Sequence, residues 1–306
     1  MSKRKAFDID KYTPVLMLLP ALIAICIVQL YPCVVAIGMS FFDINLLKPT
    51  RPFVGLDNYA KIFEDPVNMR VLLNTLIWAL ITVIAGSFLS LCVAVQLNKN
   101  FRSRAFYRVL FLAPWVTPPI VIASIWKLIL NRDLSPVSAL LMKWHLVSKP
   151  VEFLSNPTIY FGFLSIPMIY LIIVNIWSFM PFAIVMFLSG LQTVPGELYE
   201  AATVDGASKS QQFRHITIPM LMPVMETIIL LQGIWQFNNF NLSYLVTHGG
   251  PLNSTELMAV RVYIEAMNNF RYGYGASISV VMVAVVMIPT IIYIRKVARE
   301  ESRDIV

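Results

Sequence analysis

The sequence predicts an all-α integral membrane protein with six transmembrane helices. Of its 306 residues, 58% are hydrophobic and only 13% are charged, whereas soluble domains carry about 25% charged residues. A membrane-spanning helix needs about 20 largely apolar residues, and six runs in the chain are long enough. These runs cover residues 14–37, 71–97, 106–130, 158–191, 218–245 and 276–294.

The first run follows a basic N-terminus and is predicted to remain in the protein as a span. Lys3, Arg4, Lys5 and Lys11 precede it, as basic residues also precede a signal peptide. The run is longer than the apolar region of a signal peptide, however, and it lacks a small-x-small cleavage site.

Basic residues cluster after the second, fourth and sixth runs, on the side of the basic N-terminus. Because such loops remain in the cytoplasm, both termini are predicted to be cytoplasmic. This placement accounts for the formal net charge of +7, and we expect no nucleic-acid partner. The clusters contain Lys99, Arg102, Arg104 and Arg108; Lys209, Arg214 and His215; and Arg295, Lys296, Arg299 and Arg303.

The fourth run exceeds one bilayer width at about 1.5 Å per residue, and Pro167 and Pro181 could divide it. Two spans here would move the C-terminal basic cluster to the outside. We therefore expect an outer-surface segment up to about Pro167, followed by one span. The predicted organisation is a cytoplasmic tail (1–13), a first helix with its outer loop (14–70), a core of five transmembrane helices (71–295) with a cytoplasmic loop at 192–219, and a second cytoplasmic tail (296–306).

The cytoplasmic loop at 192–219 contains the string ELYEAATVDGASKSQQFRHITIP, which predicts two short helices. Pro195 suits the first turn of the first helix, and Gly206 supplies a left-handed end. Ser208, with a glutamine three residues later, has the pattern of a capping box for the second helix. Pro219 then begins the next span.

The same loop has the residues of a docking surface. Two carboxylates about one turn apart offer acceptors to basic groups of a partner, two alanines permit a close approach, and two apolar side chains can anchor the second helix. An ordinary surface hairpin with solvated acids is the alternative. These residues are, in order, Glu197 and Glu200, Ala201 and Ala202, and Phe213 and Ile216.

The loop resembles the coupling loop of binding-protein-dependent ABC importer permeases, whose motif is E-A-A, two residues, D/G-G-A, a variable stretch, then an aromatic residue, isoleucine and proline. The resemblance implies a type I permease bundle in a bacterial inner membrane, with the loop docked on an ATPase subunit and Glu200 paired with a basic residue there. ATP and Mg²⁺ would be bound by two separate ATPase subunits, so we expect no cofactor, metal or catalysis in this chain. The matching residues are Glu200, Ala201, Ala202, Asp205, Gly206, Ala207, Phe213, Ile216 and Pro219.

A second resemblance concerns the fifth run and the segment after it, FNNFNLSYLVTHGGP at 237–251. This string is similar to carbohydrate permeases of the maltose and glycerol-3-phosphate kind, as are FVGLDNYAKIFEDP (53–66) and YGYGASISV (272–280). The resemblance implies a carbohydrate substrate delivered by an extracytoplasmic solute-binding protein. It also implies a second permease subunit, which in this subfamily is usually a different chain.

Polar side chains within a bilayer tend to face a bundle interior or a pathway, which marks seven residues as a predicted substrate pathway. Amides donate and accept hydrogen bonds, and aromatic rings offer apolar faces, a mixture suited to a neutral sugar or polyol. The alternative is that the amides join spans and the tryptophans mark membrane interfaces. The seven are Asn175, Trp177, Trp235, Gln236, Asn238, Asn239 and Tyr244.

Glu226 lies about two turns into the fifth run and has two interpretations. Ionisable groups in a membrane are commonly functional, so it could gate or couple transport. It could equally reach the inner interface or pair with a neighbour.

The predicted function is that of the transmembrane subunit of an ATP-driven importer of a sugar, oligosaccharide or polyol. No G-x-x-x-x-G-K-[S/T] phosphate loop occurs in the sequence, and the three histidines lie on different segments, so an enzyme is not expected. The cysteines lie in apolar runs without metal or disulfide spacing. An ion-coupled secondary transporter of a small polar solute is the alternative, although it leaves the 192–219 loop unexplained.

Overall fold

The computed structural model describes residues 9–156, 158–160 and 164–304. These residues are mostly helical, which confirms the all-α class; the strands β1 (Ile159–Tyr160) and β2 (Leu164–Ser165) form one short antiparallel hairpin among them. The basic residues Lys3, Arg4 and Lys5, most of the tail at 1–13 and the last two residues of the tail at 296–306 lie outside the described residues.

Fourteen α-helices are assigned within the described residues, and three π-helical turns accompany them. The π-turns are Cys26–Leu30, Phe213–Thr217 and Ile264–Asn268. The helices are α1 (Ile9–Ile25), α2 (Tyr31–Met39), α3 (Asp57–Glu64), α4 (Pro66–Asn98), α5 (Arg104–Val116), α6 (Pro119–Ile129), α7 (Pro136–Lys143), α8 (Ile166–Thr193), α9 (Gly196–Val204), α10 (Lys209–Gln212), α11 (Ile218–Phe237), α12 (Asn241–Thr247), α13 (Met258–Tyr263) and α14 (Tyr272–Asp304).

Five helical segments among the described residues are long and apolar enough to cross a membrane. They correspond to the first, second, fourth, fifth and sixth predicted runs. A sixth crossing is obtained if α5 and α6 together form one span. The five segments are Val15–Met39, Pro66–Asn98, Ile166–Thr193, Lys209–Thr247 and Tyr272–Arg299.

The third predicted run, 106–130, is two helices rather than one. The axes of α5 and α6 differ by 96°. Proline has no backbone N–H, and the residue before a proline is driven out of the helical region. Thr117 precedes Pro118, which precedes Pro119, and the ψ angles of Thr117 and Pro118 are 128° and 138°. Consecutive prolines therefore break the helix that hydrophobicity alone predicts.

The fourth predicted run begins with the hairpin, and its helix starts at Ile166, close to the predicted boundary at Pro167. The Ser165 side chain caps α8 by accepting a hydrogen bond from the Met168 backbone N–H at 3.2 Å. Pro181 lies inside α8 without ending it. One helix that is long and apolar enough to cross a membrane follows the hairpin, as the sequence indicates.

The chain divides into two compact units. The first contains the residues up to Glu64 together with Val262–Val281. Within it, the Asn58 side chain donates to the backbone oxygens of Ser40 and Phe42 at 2.9 and 3.0 Å. No side chain of residues 15–39 is buried, and only Ala36 and Met39, near the end of this segment, are half-buried.

The second unit contains Asp65–Arg261 and the residues from Met282 onward, and α4, α8 and α11 form its centre. Their apolar faces meet in one cluster. α8 packs closely against α11 at Gly190, where a Cβ atom would lie 2.8 Å from Leu221 Cδ2 and 3.1 Å from Val224 Cγ2. The cluster contains Leu91, Ala94, Leu97, Ala183, Ile184, Phe187, Leu191, Leu221 and Ile228.

Gly190→Ala is expected to destabilise the protein, because the added methyl group overlaps α11; overpacking of this kind costs about 1–3 kcal/mol. Gly233→Ala is the matched control. Gly233 lies in α11, no atom lies within 4 Å of the position that its added methyl group would occupy, and alanine is favoured over glycine in a helix. Thermal unfolding in detergent should show a lower midpoint for the first variant only. Equal midpoints would contradict the close α8–α11 packing.

Candidate functional site

The predicted cytoplasmic loop is a hairpin of α9 and α10 closed by Gly206. Gly206 has a φ of +81°, the left-handed conformation predicted for it. Its neighbour Ala207 donates its backbone N–H to Ala202 O at 2.8 Å, which satisfies a carbonyl at the end of α9. Pro195 is the N-cap of α9 and not its first helical residue.

The predicted capping box is present at the start of α10. Ser208 Oγ accepts from the Gln211 backbone N–H at 3.4 Å, and Gln211 Oε1 accepts from the Ser208 backbone N–H at 2.8 Å. The second helix is not separate from the next span, however. α10 continues through the π-turn Phe213–Thr217 into α11, so Pro219 lies in the first turn of α11 within a continuous helix.

The hairpin is held together by side chains that the sequence analysis missed. Gln212 is buried and donates from Nε2 to Thr203 Oγ1 at 2.8 Å and to Ala207 O at 3.3 Å. The Tyr199 hydroxyl and Thr217 Oγ1 share a hydrogen bond of 2.9 Å. No hydrophobic pattern marks these polar residues as anchors.

The predicted anchors, Phe213 and Ile216, are not among the buried residues of the hairpin. Phe213 remains 37% exposed, and Ile216 is half-buried. The buried positions of this turn are Gln212 and Thr217.

The solvent-exposed face of the hairpin combines acidic side chains with apolar ones. Glu197, Glu200 and Asp205 are exposed, and none forms an ion pair within the described part of the chain. Beside them, Leu198 and Val204 are 42% and 88% exposed. Ala201 is exposed, while Ala202 and Ala207 are half-buried. This face can accept basic and apolar groups from a partner.

A cavity of about 260 Å³ lies elsewhere in the second unit, where the α5–α6 bend meets α8 and the segment after α11. Its wall is apolar except for amide and hydroxyl groups, and no charged side chain lines it. The bend itself contributes nearly half of the lining. The lining residues are Pro114, Trp115, Thr117, Pro119, Ile122, Asn175, Ser178, Phe179, Asn239, Asn241 and Leu242.

Behind this wall, a buried network of amides joins α4, α8 and α11. Gln236 Oε1 accepts from Asn175 Nδ2 at 2.6 Å, from Trp78 Nε1 at 3.2 Å and from Asn239 Nδ2 at 3.4 Å. Asn175 Nδ2 also donates to Thr82 Oγ1 at 3.3 Å, and Asn175 Oδ1 accepts from Asn239 Nδ2 at 3.2 Å. Buried amides joined in this way hold three helices in one register.

The structure brings three of the seven predicted pathway residues together. Asn175 and Asn239 line the cavity, and Gln236 supports both from behind. Sequence reasoning missed five further polar or aromatic lining residues. Asn241 directly follows the F-N-N-F string, so that motif could have indicated it, whereas the other four are brought to the cavity by the α5–α6 bend or by helix packing. The missed residues are Trp115, Thr117, Ser178, Phe179 and Asn241.

The other four predicted pathway residues lie outside the cavity lining. Asn238 is exposed and donates to the Ile234 backbone oxygen at 2.8 Å, closing the end of α11. The remaining three make aromatic contacts. Their ring-centroid distances are 5.7 Å for Trp177 with Trp126, 4.8 Å for Trp235 with Phe182 and 4.8 Å for Tyr244 with Phe240.

Glu226 has a partner, in agreement with the structural interpretation. Its carboxylate forms an ion pair with Lys296 of α14, and the neighbouring Thr227 shares a hydrogen bond of 3.0 Å with the Tyr293 hydroxyl. These contacts attach the second half of α14 to α11.

Comparisons with known proteins agree with this architecture. The model of a family described as "binding-protein-dependent transport system inner membrane component" matches residues 83–299. The chain is 32% identical to a probable ABC transporter permease protein of Brucella suis, covering 96% of this chain and 99% of that protein. It is 31% identical to the sulfoquinovosyl glycerol transport system permease protein of Agrobacterium fabrum (94% and 90% covered) and to the trehalose/maltose transport system permease protein of Thermococcus litoralis (92% and 92%).

A solved structure shows the same fold. A chain of the bacterial alginate ABC transporter, crystallised with an alginate pentasaccharide-bound periplasmic protein, superposes with a TM-score of 0.78 at 19% identity, covering 93% of this chain and 94% of that one. The predicted permease fold is thereby confirmed. The chain belongs to the family of inner-membrane components of binding-protein-dependent transport systems, as a multi-pass transmembrane subunit of an ABC importer.

Proposed function

We propose that the transported solute is a carbohydrate that passes the cavity beside the α5–α6 bend. The main support is the chemistry of the cavity wall. Its hydrogen-bonding side chains include Asn175, Asn239, Asn241 and Ser178, and Trp115 adds an aromatic ring. Amides match hydroxyl groups as donors and acceptors. The lining contains no charged side chain that would attract an ionic solute. Two of the relatives carry trehalose/maltose and sulfoquinovosyl glycerol in their names, which supports the same class.

The proposal includes an assembly in which this chain performs no ATP chemistry. Two ATPase subunits bind ATP and Mg²⁺, a second permease chain of different sequence completes the passage, and a solute-binding protein delivers the sugar outside. The absence of a phosphate-binding loop from the sequence supports this division of labour. The chain itself needs no cofactor or metal for its role.

The hairpin formed by α9 and α10 is the proposed contact with the ATPase. Glu197, Glu200 and Asp205 would face basic groups there, while Leu198 and Val204 would be covered by apolar groups. Removing such exposed apolar side chains from water favours association.

The continuous helix supports a direct mechanical link from this contact to the cavity. From Lys209 to Gln236, α10, the π-turn and α11 extend roughly 40 Å at 1.5 Å per residue. Movement of the hairpin would therefore displace Gln236, which holds Asn175 and Asn239 in the cavity wall. Transport then consists of a shift between two packings of the bundle, biased by partner contacts.

An ion-coupled secondary transporter is the competing function. Membership of a binding-protein-dependent family argues against it. The hairpin also argues against it, because its exposed face carries apolar side chains together with acids that form no ion pair among the described residues. Uptake by the reconstituted chain in an ion gradient, without ATP or other subunits, would favour it.

Glu200→Lys and Gly206→Pro are each expected to reduce ATP-dependent uptake to background. The lysine repels basic groups of the ATPase, and proline cannot adopt the φ of +81° at position 206. Asp133→Lys is the control, because it reverses an exposed acid outside the hairpin. Uptake should be measured in cells alongside the amount of ATPase that copurifies. Normal uptake by both hairpin variants would remove the basis for the docking surface.

Asn239→Ala and Trp115→Ala are expected to reduce carbohydrate uptake about tenfold, because each removes a contact worth roughly 1–2 kcal/mol from the cavity wall. The ATPase should still copurify in wild-type amounts. Trp144→Ala serves as the control, since Trp144 is exposed and does not line the cavity. If both cavity variants transport as well as this control, the substrate passes elsewhere.

A further inference from the structure

The amide network behind the cavity contains one group whose hydrogen-bonding role cannot be reversed. The indole N–H of Trp78 donates only, whereas a side-chain amide can offer either its oxygen or its NH₂. Trp78 Nε1 lies 3.2 Å from Gln236 Oε1, and both side chains are fully buried. Gln236 must therefore present its oxygen at this junction.

That choice fixes Asn175. Because Gln236 presents an oxygen, Asn175 must present its NH₂, which donates at 2.6 Å. The second hydrogen of this NH₂ is directed to Thr82 Oγ1 at 3.3 Å. Asn175 Oδ1 is then available only as an acceptor.

Asn239 is fixed in turn. Its NH₂ donates to Asn175 Oδ1 at 3.2 Å and to Gln236 Oε1 at 3.4 Å, so both hydrogens are used. Asn239 Oδ1 remains without a hydrogen-bond partner among the described residues although that atom is buried. Asn239 lines the cavity, so the orientation set by Trp78 ends in an acceptor on a residue of the cavity wall.

We propose that Trp78 is a positioning residue that sets the hydrogen-bond polarity of the cavity and thereby selects a solute that donates a hydroxyl to Asn239 Oδ1. Trp78 acts through Gln236 and does not touch the solute. The inference rests on the proposed carbohydrate function and specifies how the site discriminates. A hydroxyl relieves the buried acceptor, whereas an ether, a carboxylate or a fluorine at the same point meets oxygen with another acceptor.

A network that only joined helices would be expected to pair its buried polar atoms. Here the amide oxygen of Asn239 and the Nε2 atom of Gln236 are both left without partners in the described structure. Among the unpaired buried atoms of the described residues, Asn239 Oδ1 belongs to a residue that lines the cavity, and the ligand-directed interpretation rests on this position.

The first test requires no sugar. Trp78→Phe, Asn239→Ala and the double variant are compared by thermal unfolding of the complete purified transporter. The effects should not add, because Trp78 acts on Asn239 through Gln236. Trp126→Phe combined with Asn239→Ala is the control pair and should be additive, since Trp126 lies outside the network. Additive effects in the Trp78 pair would overturn the proposal.

The second test measures uptake of maltose and of trehalose into proteoliposomes. Trp78→Phe keeps an aromatic ring but lets the amides turn, so KM should rise about fivefold, the value of one hydrogen bond, with little change in kcat. Adding Gln236→Glu should restore KM, because a carboxyl group offers an oxygen without help from Trp78. A purely structural role would leave KM unchanged, and that result would overturn the proposal.

A pair of variants at one position keeps the test decisive if Trp78→Phe assembles poorly. Gln236→Glu, which retains an acceptor, should have a lower KM than Gln236→Met, which is of similar size but lacks the acceptor. Equal KM values would overturn the proposal. If the wild-type transporter carries neither disaccharide, the proposed substrate class is weakened, while the unfolding comparison still decides the role of Trp78.

Discussion

The side-chain oxygen of Gln236 accepts hydrogen bonds from three different side chains in the centre of the second unit. Trp78 comes from α4, Asn175 from α8 and Asn239 from the end of α11. In a low-dielectric interior an unpaired polar group is costly, so these helices cannot slide or rotate independently without breaking the junction. The cavity wall, the register of the three helices and the proposed response to the ATPase all depend on this one acceptor.

The two ends of α11 lie near the hairpin and near the cavity, the two sites of the proposed function. At one end it continues through the π-turn and α10 into the exposed hairpin, and at the other it carries Gln236 and leads into Asn239. Gly190 lets α8 pack closely against this helix, while Glu226 and Lys296 attach α14 to it. The α5–α6 bend leaves the space that becomes the cavity. The helix that leads from the hairpin to the cavity and the bend that forms part of the cavity wall are thus both required by the proposed mechanism.

Features that depend on local chemistry could be predicted from the sequence. The apolar runs locate the spans, the glycine at position 206 adopts its left-handed conformation, and Ser208 caps α10, because each is decided by neighbours within a few residues. The E-A-A motif of the 192–219 loop indicated the family to which the chain belongs. The consecutive prolines at 118 and 119 were also local signals, but hydrophobicity outweighed them, so one helix was predicted where there are two.

Features that depend on distant contacts could not be predicted in the same way. Trp78 and Gln236 are 158 positions apart, and no pattern in either helix indicates that they meet. The hydrogen bonds of Gln212 and Tyr199 within the hairpin were likewise not predicted. Polar pairing across helices depends on register and rotation, which a single sequence does not specify. Asn175 and Asn239 were predicted from the sequence and line the cavity, whereas Trp115 and Ser178 line it without having been predicted.

The most direct test of the account is to interrupt the continuous helix between the hairpin and Gln236. Three glycines inserted between Thr217 and Ile218 would make this connection flexible while leaving both the docking face and the cavity residues intact. ATP hydrolysis and uptake should be measured on the same reconstituted transporter. The account predicts that the ATPase still copurifies and hydrolyses ATP while uptake is lost. Uptake at the wild-type rate, with hydrolysis still coupled to it, would contradict the claim that α11 transmits movement from the hairpin to the cavity.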